Sequence, residues 1–393
     1  MSFSQKGEIK FSVPHAKMLE KMFKVEPCRR CHIAIGPKER PEQTNYYHVV
    51  ENSTGKLVVG EDYNYTFDKL TGNFMRWGKT FGDDPKYSPI GPEILDIEIT
   101  TSCNGINGKL CPFCYKSNTP NGKNMSFDTF KHILDSFPKT LTQIAFGADS
   151  EASSNPDLWK MADYARSKGV IPNITVANID DETADKLVNV MGAVAVSRYS
   201  DKNVCYNSVS RLTSRNLKQV NIHFMISEET YDNCMETLKD IKTDYRLAGL
   251  NAIVLLSLKK KGRGTKFTPL AQSKYDGIVN YCLENNIRFG MDSCGAKKFI
   301  DAVQNHPRIK DFLTVCEPCE STLFSSYIDV DGFFSPCSFC GGCGDWVEGI
   351  DTKKSSDFLI DVWYNDRVIK FRNMLCANIN NKFGLRECPV FEV

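Results

Sequence analysis

The chain has 393 residues, and its 49 Lys and Arg against 48 Asp and Glu leave a formal charge of +1. Apolar residues at 41% and charged residues at 25% are enough for a core and exclude a wholly disordered chain. The charge balance gives no global signal for nucleic acid or an anionic membrane. At roughly 150 residues per domain, the length predicts between two and three domains, or one large α/β unit with an accessory module.

Cysteine is the unusual residue, at 16. The N-terminal stretch lacks an apolar signal-peptide segment, and no run approaches about 18 apolar residues, so the chain is expected to be cytoplasmic, with no membrane partner. In a reducing compartment, clustered cysteines point to metal ligation or redox chemistry before disulfides.

In chain order, residues 1–91 read as an accessory module. It holds Cys28 and Cys31 followed by His32, then two β-prone segments, Tyr46–Val50 and Lys56–Val59, that read as a hairpin. The proline-containing stretch 82–92 reads as a linker. Residues 92–312 alternate strands and helices. Strands are expected at Ile94–Ile99, Gln143–Phe146, Ile171–Ala177, Val194–Ser197, Val220–Met225, Ala252–Leu256 and Arg288–Phe289. Helices are expected at Phe127–Ser136, Leu158–Lys168, Asp180–Val190, Ser208–Leu217, Glu228–Lys239, Gln272–Glu284 and Ala296–Ile309. This is the βαβ signature. It predicts a full or partial (β/α) barrel of TIM type, although an open doubly wound sheet has the same local pattern. After residue 312 the rhythm breaks, and 313–393 forms a cysteine-rich module with one helical stretch near Asp361–Met374.

Immediately after the first strand of the α/β region come Cys103, Cys111 and Cys114, spaced by seven residues and then two. Ligands in parallel α/β folds gather at the carboxyl ends of strands, so this loop is placed for chemistry. Three thiolates without a nearby fourth fall short of a structural zinc site, which takes four protein ligands, and would leave one iron of a 4Fe-4S cluster open. A zinc site completed by a distant residue is the alternative.

On these residues the sequence resembles the radical S-adenosylmethionine (radical SAM) superfamily, from whose usual spacing of three and two it departs. Phe113 matches the aromatic residue before the third cysteine, and Tyr115 adds one after it. The resemblance implies a 4Fe-4S cluster on the three cysteines whose open iron binds the amine and carboxylate of S-adenosylmethionine. One-electron reduction would then release a 5′-deoxyadenosyl radical. Gly147 and Ala148 after the second strand resemble the family's glycine-rich segment, with Asp149 or Glu151 able to accept from an ammonium. Asn178, Ser197 and Arg198, at the third and fourth strand exits, carry over as residues for the ribose hydroxyls and the carboxylate. A plain turn and ordinary surface residues at helix starts are the alternatives at these positions.

Cys319 precedes a hairpin reading over Tyr327–Phe334 with an Asp331-Gly332 turn, and Cys337 follows it. This resembles the opening of the auxiliary-cluster domain called SPASM, or its shorter relative Twitch. At least one auxiliary iron–sulfur cluster is implied, its ligands drawn from Cys316, Cys319, Cys337, Cys340, Cys343, Cys376 and Cys388, with zinc as the alternative. Cys294 follows the seventh strand, where a thiol can donate a hydrogen atom to a substrate radical or be a buried bystander. Lys259–Gly264, after the sixth strand, is either a ligand-contacting basic loop, in which Gly262 and Gly264 allow close approach, or a solvated one. Cys28 and Cys31 can hold zinc with distant partners or be a plain reduced pair.

The resemblance implies abstraction of a hydrogen atom, most directly from a peptide or protein side chain. An enzyme acting on a small molecule, nucleoside or RNA base is the runner-up, and a non-catalytic zinc-binding interaction protein is the alternative of another class. A flavodoxin or ferredoxin is the expected electron donor.

Overall fold

A computed structural model describes residues 32–35, 45–199 and 201–391, with side chains described from 47 onward. The Cys28 and Cys31 reading lies outside the described residues. Two sheets organise the chain. The first is antiparallel, in the order β1 (His32–Ile35), β2 (Asn45–Glu51), β3 (Gly55–Val59), β4 (Asn64–Asp68) and β5 (Phe74–Trp77). The expected hairpin is β2–β3, while β4 and β5 carry only weak strand signals, both being short and β4 polar at its ends.

The second sheet has ten strands. Seven follow the βα repeat: β6 (Ile94–Glu98), β7 (Gln143–Gly147), β8 (Ile171–Val176), β9 (Ala193–Ser197), β10 (Val220–Ile226), β11 (Ala252–Ser257) and β12 (Phe289–Met291). They lie parallel and in sequence order. The other three are β13 (Ser325–Ile328), β14 (Phe333–Ser335) and β15 (Ile350–Asp351). β13 pairs in parallel with β6, so the C-terminal hairpin extends the same sheet. Among the described residues β12 and β15 are its edges, so the α/β sheet is not closed by a ladder between first and last strands. It is nevertheless curled. Arg263, in the loop after β11, donates to the Cys111 carbonyl at 2.9 Å and the Asn118 carbonyl at 3.1 Å, in the loop after β6. In a flat sheet, strands spaced about 4.8 Å apart would hold the ends of β6 and β11 about 24 Å from each other.

Helix positions follow from local chemistry. Ser126 caps Phe127–Ser136, and Asp180 caps Asp181–Val190, each accepting from a backbone N–H of the first turn. The helix expected at Ser208–Leu217 begins earlier, at Lys202, because Asp201 caps it. The helix expected at Ala296–Ile309 is two, Ala296–Val303 and Ile309–Val315, because Pro307 lies between them and cannot continue a helix. The helical stretch expected near Asp361–Met374 is a π-helical turn, Leu359–Trp363, followed by Asp366–Ala377. No described helix is long and apolar enough to cross a membrane.

The antiparallel sheet covers the amino ends of the parallel strands. Fully buried Lys56 donates to the carbonyls of Lys139 at 2.8 Å and Leu141 at 2.6 Å, just before β7. Tyr65 donates to the Thr140 carbonyl, and the Gln219 amide, before β10, to the Thr71 carbonyl at 2.8 Å. Arg76 on β5, its side chain 7% exposed, pairs with buried Glu93 at 2.9 Å, and Tyr63 donates to the same carboxylate. The stretch 82–92 is laid down rather than free. Ile90 is fully buried, and the Ser88 carbonyl accepts from the Trp363 indole at 2.9 Å.

Burial raises the Glu93 carboxyl to about 7, so at pH 8 the Arg76 charge is what makes its ionised form tolerable. Arg76→Ala is expected to destabilise the protein by about 3 kcal/mol at pH 8, because it strands a buried carboxylate. The loss shrinks toward pH 5 as Glu93 takes up a proton. Urea unfolding at the two pH values measures both, and a pH-independent loss below about 1 kcal/mol would contradict the assignment.

Candidate active site

The loop after β6 carries Cys103, Cys111 and Cys114, all half-buried. It turns back on itself, with the Cys103 N–H donating to the Thr119 carbonyl at 3.0 Å and the Cys114 N–H to the Cys111 carbonyl at 3.4 Å. The three thiols lie within electrostatic reach of one another around Tyr199, at the end of β9. Burial pushes the Cys111 thiol up to about 12, with Arg263 pulling the other way.

The loop after β11 is pressed onto this one. The Arg263 N–H donates to the Cys114 carbonyl at 3.0 Å. Gly262 has φ +56°, and a Cβ there would meet the Tyr115 carbonyl oxygen at 2.3 Å. Two aromatic residues tie the cysteine loop to its surroundings. Phe113 lies edge-on to Tyr199 and Phe267, with ring centroids at 4.9 and 5.5 Å. The Tyr115 ring lies 4.3 Å from that of Phe339, between Cys337 and Cys340.

At the next strand exit, Gly147 lets β7 approach β6, since a Cβ would stand 3.2 Å from the Glu98 Cα. Ala148 packs half-buried beside it. Asp149 spends its carboxylate on its own loop, accepting from the N–H groups of Ser153 at 3.0 Å, Ser154 at 2.9 Å and Glu151 at 3.2 Å. Of the two carboxylates expected to meet an ammonium, Asp149 is thus already engaged. Glu151 and Asn178 are brought together instead, the amide donating to the carboxylate at 3.2 Å. Ser197 is buried and acts on the Tyr199 phenol. Arg198 does not face these groups freely: its guanidinium reaches Glu236 at 3.5 Å and the Tyr199 carbonyl at 3.3 Å.

A second group of thiols forms beside the first. Cys319, Cys337, Cys340 and Cys388 lie within electrostatic reach of one another, with the sulfurs of Cys337 and Cys340 3.5 Å apart. The hydrogen bond between these two sulfurs holds the Cys337 thiol below its ordinary value. Cys294, in the 3₁₀ turn Ser293–Gly295 after β12, joins this group and stands against the buried Lys259, which pairs with Asp292. Burial pushes the Cys294 thiol up to about 12, so it stays protonated. Two other cysteines of the module point elsewhere. Cys316 donates to the Ala296 carbonyl at 3.8 Å, and Cys376 sits on Asp366–Ala377 beside Arg372. Cys343 stays close to the group, lining with Cys340, Trp346 and Phe371 a cavity of about 610 Å³.

Among the described residues no three His, Cys, Asp or Glu side chains converge closely enough to hold a single metal ion. An iron–sulfur cluster is a different demand, because each thiolate binds its own iron and the sulfurs stand apart around the cluster. The donor sets fit it: all thiols, with backbone N–H groups donating to sulfur from Gly105 to Cys103 and from Phe391 to Cys388, both at 3.3 Å.

The sequence reading missed Asp96, Glu98, Lys116, Tyr199 and His223, and offered Arg263 only as part of the basic loop Lys259–Gly264. Asp96 and Glu98 were detectable as carboxylates at alternate positions of an otherwise apolar strand, which puts both on one face.

Gly262→Ala is expected to cost about 1–3 kcal/mol and to lower iron retention, because it strains a left-handed residue and drives the two loops apart. Thermal unfolding with iron quantification tests this, and an unchanged melting temperature with full iron would contradict it.

No protein-family model and no curated protein matches the sequence. Among solved structures, the crystal structure of Streptococcus suis SuiB bound to S-adenosylmethionine superposes with a TM-score of 0.55. It is 14% identical and covers 74% of this chain and 69% of that chain. A second crystal structure of Streptococcus suis SuiB gives 0.54 at 11% identity, covering 82% of this chain and 88% of that chain. Over about three quarters of its length, the chain has the fold of SuiB.

Proposed function

We propose that the chain is a radical SAM enzyme with a SPASM-like auxiliary iron–sulfur module, acting on a peptide or protein side chain. The observation that carries this reading is the meeting of two all-thiol groups, from loops more than 200 residues apart, at one rim of a curled parallel sheet. A 4Fe-4S cluster on Cys103, Cys111 and Cys114 would supply reductive cleavage of S-adenosylmethionine, with electrons from a flavodoxin or ferredoxin.

The chain's own residues do the rest. Glu151, steadied by Asn178, accepts from the methionyl ammonium, and Gly147 leaves room for the cofactor against the β6–β7 edge. Phe113 and Tyr199 wall the cysteine loop and keep water from it. Cys319, Cys337, Cys340 and Cys388 hold the auxiliary cluster. Cys294, kept protonated by burial and lying beside the auxiliary thiols, is the hydrogen-atom donor to a substrate radical. The interior is open at the strand ends and polar, which suits a side chain entering from the rim while its peptide backbone stays outside.

Anaerobic reconstitution with iron and sulfide, reduction with dithionite and chromatography for 5′-deoxyadenosine test the chemistry. Wild type is expected to form the product, and Cys111→Ala/Cys114→Ala to lose it by at least about a hundredfold. Zinc in place of iron after reconstitution, with no S-adenosylmethionine binding, would overturn the reading in favour of a zinc-binding interaction protein.

A further inference from the structure

The two faces of β6 differ sharply. Leu95 and Ile97 are buried at 0% and 1% exposure, whereas Asp96 between them is exposed although β7 and β13 flank its strand on both sides. Its in-register neighbours on that face are Tyr327 on β13, Ala145 on β7 and, one strand on, Asn173 on β8. Farther along the same face come Thr175, Ser197, Asn221 and His223. A central-strand face made of small and polar residues lines an open cavity rather than a core.

The charges on this face are paired with one exception. Glu98 accepts from the Tyr327 hydroxyl at 3.1 Å and pairs with Lys116 at 3.3 Å. Asp292 pairs with Lys259. Burial lowers His223 to about 4, so it carries no charge at neutral pH. Among the described residues no hydrogen bond or ion pair engages the Asp96 carboxylate, and desolvation by the flanking strands, with Cys337 close by, raises it to about 7. A carboxylate that stands on the open face of a central strand with no protein partner is available to a cationic ligand.

We propose that Asp96 receives a cationic group of the substrate, an ammonium or guanidinium, on the floor of the cavity between the two cysteine groups. A cation at Asp96 lies beside Tyr115, whose phenol feels this carboxylate, and near Cys337 of the auxiliary thiols. The substrate is thereby held with its charged end deep and its reacting carbon toward the rim. The assignment rests on the enzyme reading only for what happens next, since the cation site is a property of this face alone.

The test is equilibrium dialysis at pH 8 on anaerobically reconstituted full-length protein. The probes are blocked tripeptides Ala-Xaa-Ala, with lysine, arginine, norleucine or glutamate in the centre, and free cadaverine. Wild type is expected to bind the lysine or arginine peptide, and Asp96→Asn to bind it at least about tenfold more weakly, with norleucine and glutamate peptides bound poorly by both. Binding of cadaverine without the peptides would keep the cation site and assign it to a small amine. Equal affinity in the two proteins, equal binding of the norleucine peptide, or no cationic probe bound below about 10 mM would overturn the proposal.

Asp96→Asn is not expected to unfold the protein. A carboxylate whose native value is raised costs stability once pH rises above its unfolded value near 4, so the variant should melt higher than wild type at pH 8, with the gap closing toward pH 4. Iron content and 5′-deoxyadenosine are measured on the same preparations. A protein that binds the cation but forms no 5′-deoxyadenosine would refute the enzyme reading and leave the cation site standing.

Discussion

The parallel ladder between β13 and β6 is the constraint on which the candidate site depends. It joins Ser325–Ile328 to Ile94–Ile97 residue for residue, although more than 220 residues of chain separate them. Backbone hydrogen bonds of this kind fix direction and register together, so the end of β6, which launches the first cysteine loop, is locked beside the hairpin that brings Cys337 and Cys340. The same register sets Tyr327 against Asp96 and lets its hydroxyl reach Glu98. The Tyr115–Phe339 contact then closes the seam between the two loops.

Two further features leave that seam accessible from the carboxyl ends of the strands. The antiparallel sheet plugs the amino ends of the strands through Lys56, Tyr65 and the Arg76–Glu93 pair, leaving the carboxyl ends as the way in. The curl of the sheet, expressed in Arg263 reaching back to the Cys111 loop, brings the ends of β6 and β11 to the same rim. Apolar side chains fill the helical face of each strand, so stability is drawn from that side. The opposite face is released to carry Asp96, Glu98, Asn173 and His223 at a cost in stability that a ligand can offset.

Much of this was legible in the sequence because the βα repeat writes burial into period and length. All seven strands of the repeat were readable within two or three residues, since each is a short apolar run bounded by turn residues. The first three cysteines were readable because they follow a strand directly. Three things were not. Pro307 divides a helix that amphipathic periodicity alone would continue. The pairing of β13 with β6 is long-range and leaves no local trace. The grouping of Cys319, Cys337, Cys340 and Cys388, with Cys316 turned toward the Ala296 carbonyl, depends on where the last helix and tail pack. Asp149 shows the same limit: its position suggested an ammonium partner, and its loop's own N–H groups claim it.

The central claim is that two separate thiol groups, each holding its own cluster, face one cavity. Mössbauer spectroscopy with iron counting on anaerobically reconstituted protein tests it most directly, comparing wild type with Cys103→Ala/Cys111→Ala/Cys114→Ala and with Cys319→Ala/Cys337→Ala/Cys340→Ala/Cys388→Ala. The account predicts about eight irons per chain in wild type and about four in each variant, with addition of S-adenosylmethionine perturbing only the cluster that survives in the second. Zinc or no metal in the wild type, or loss of all iron from a variant that stays folded, would contradict it.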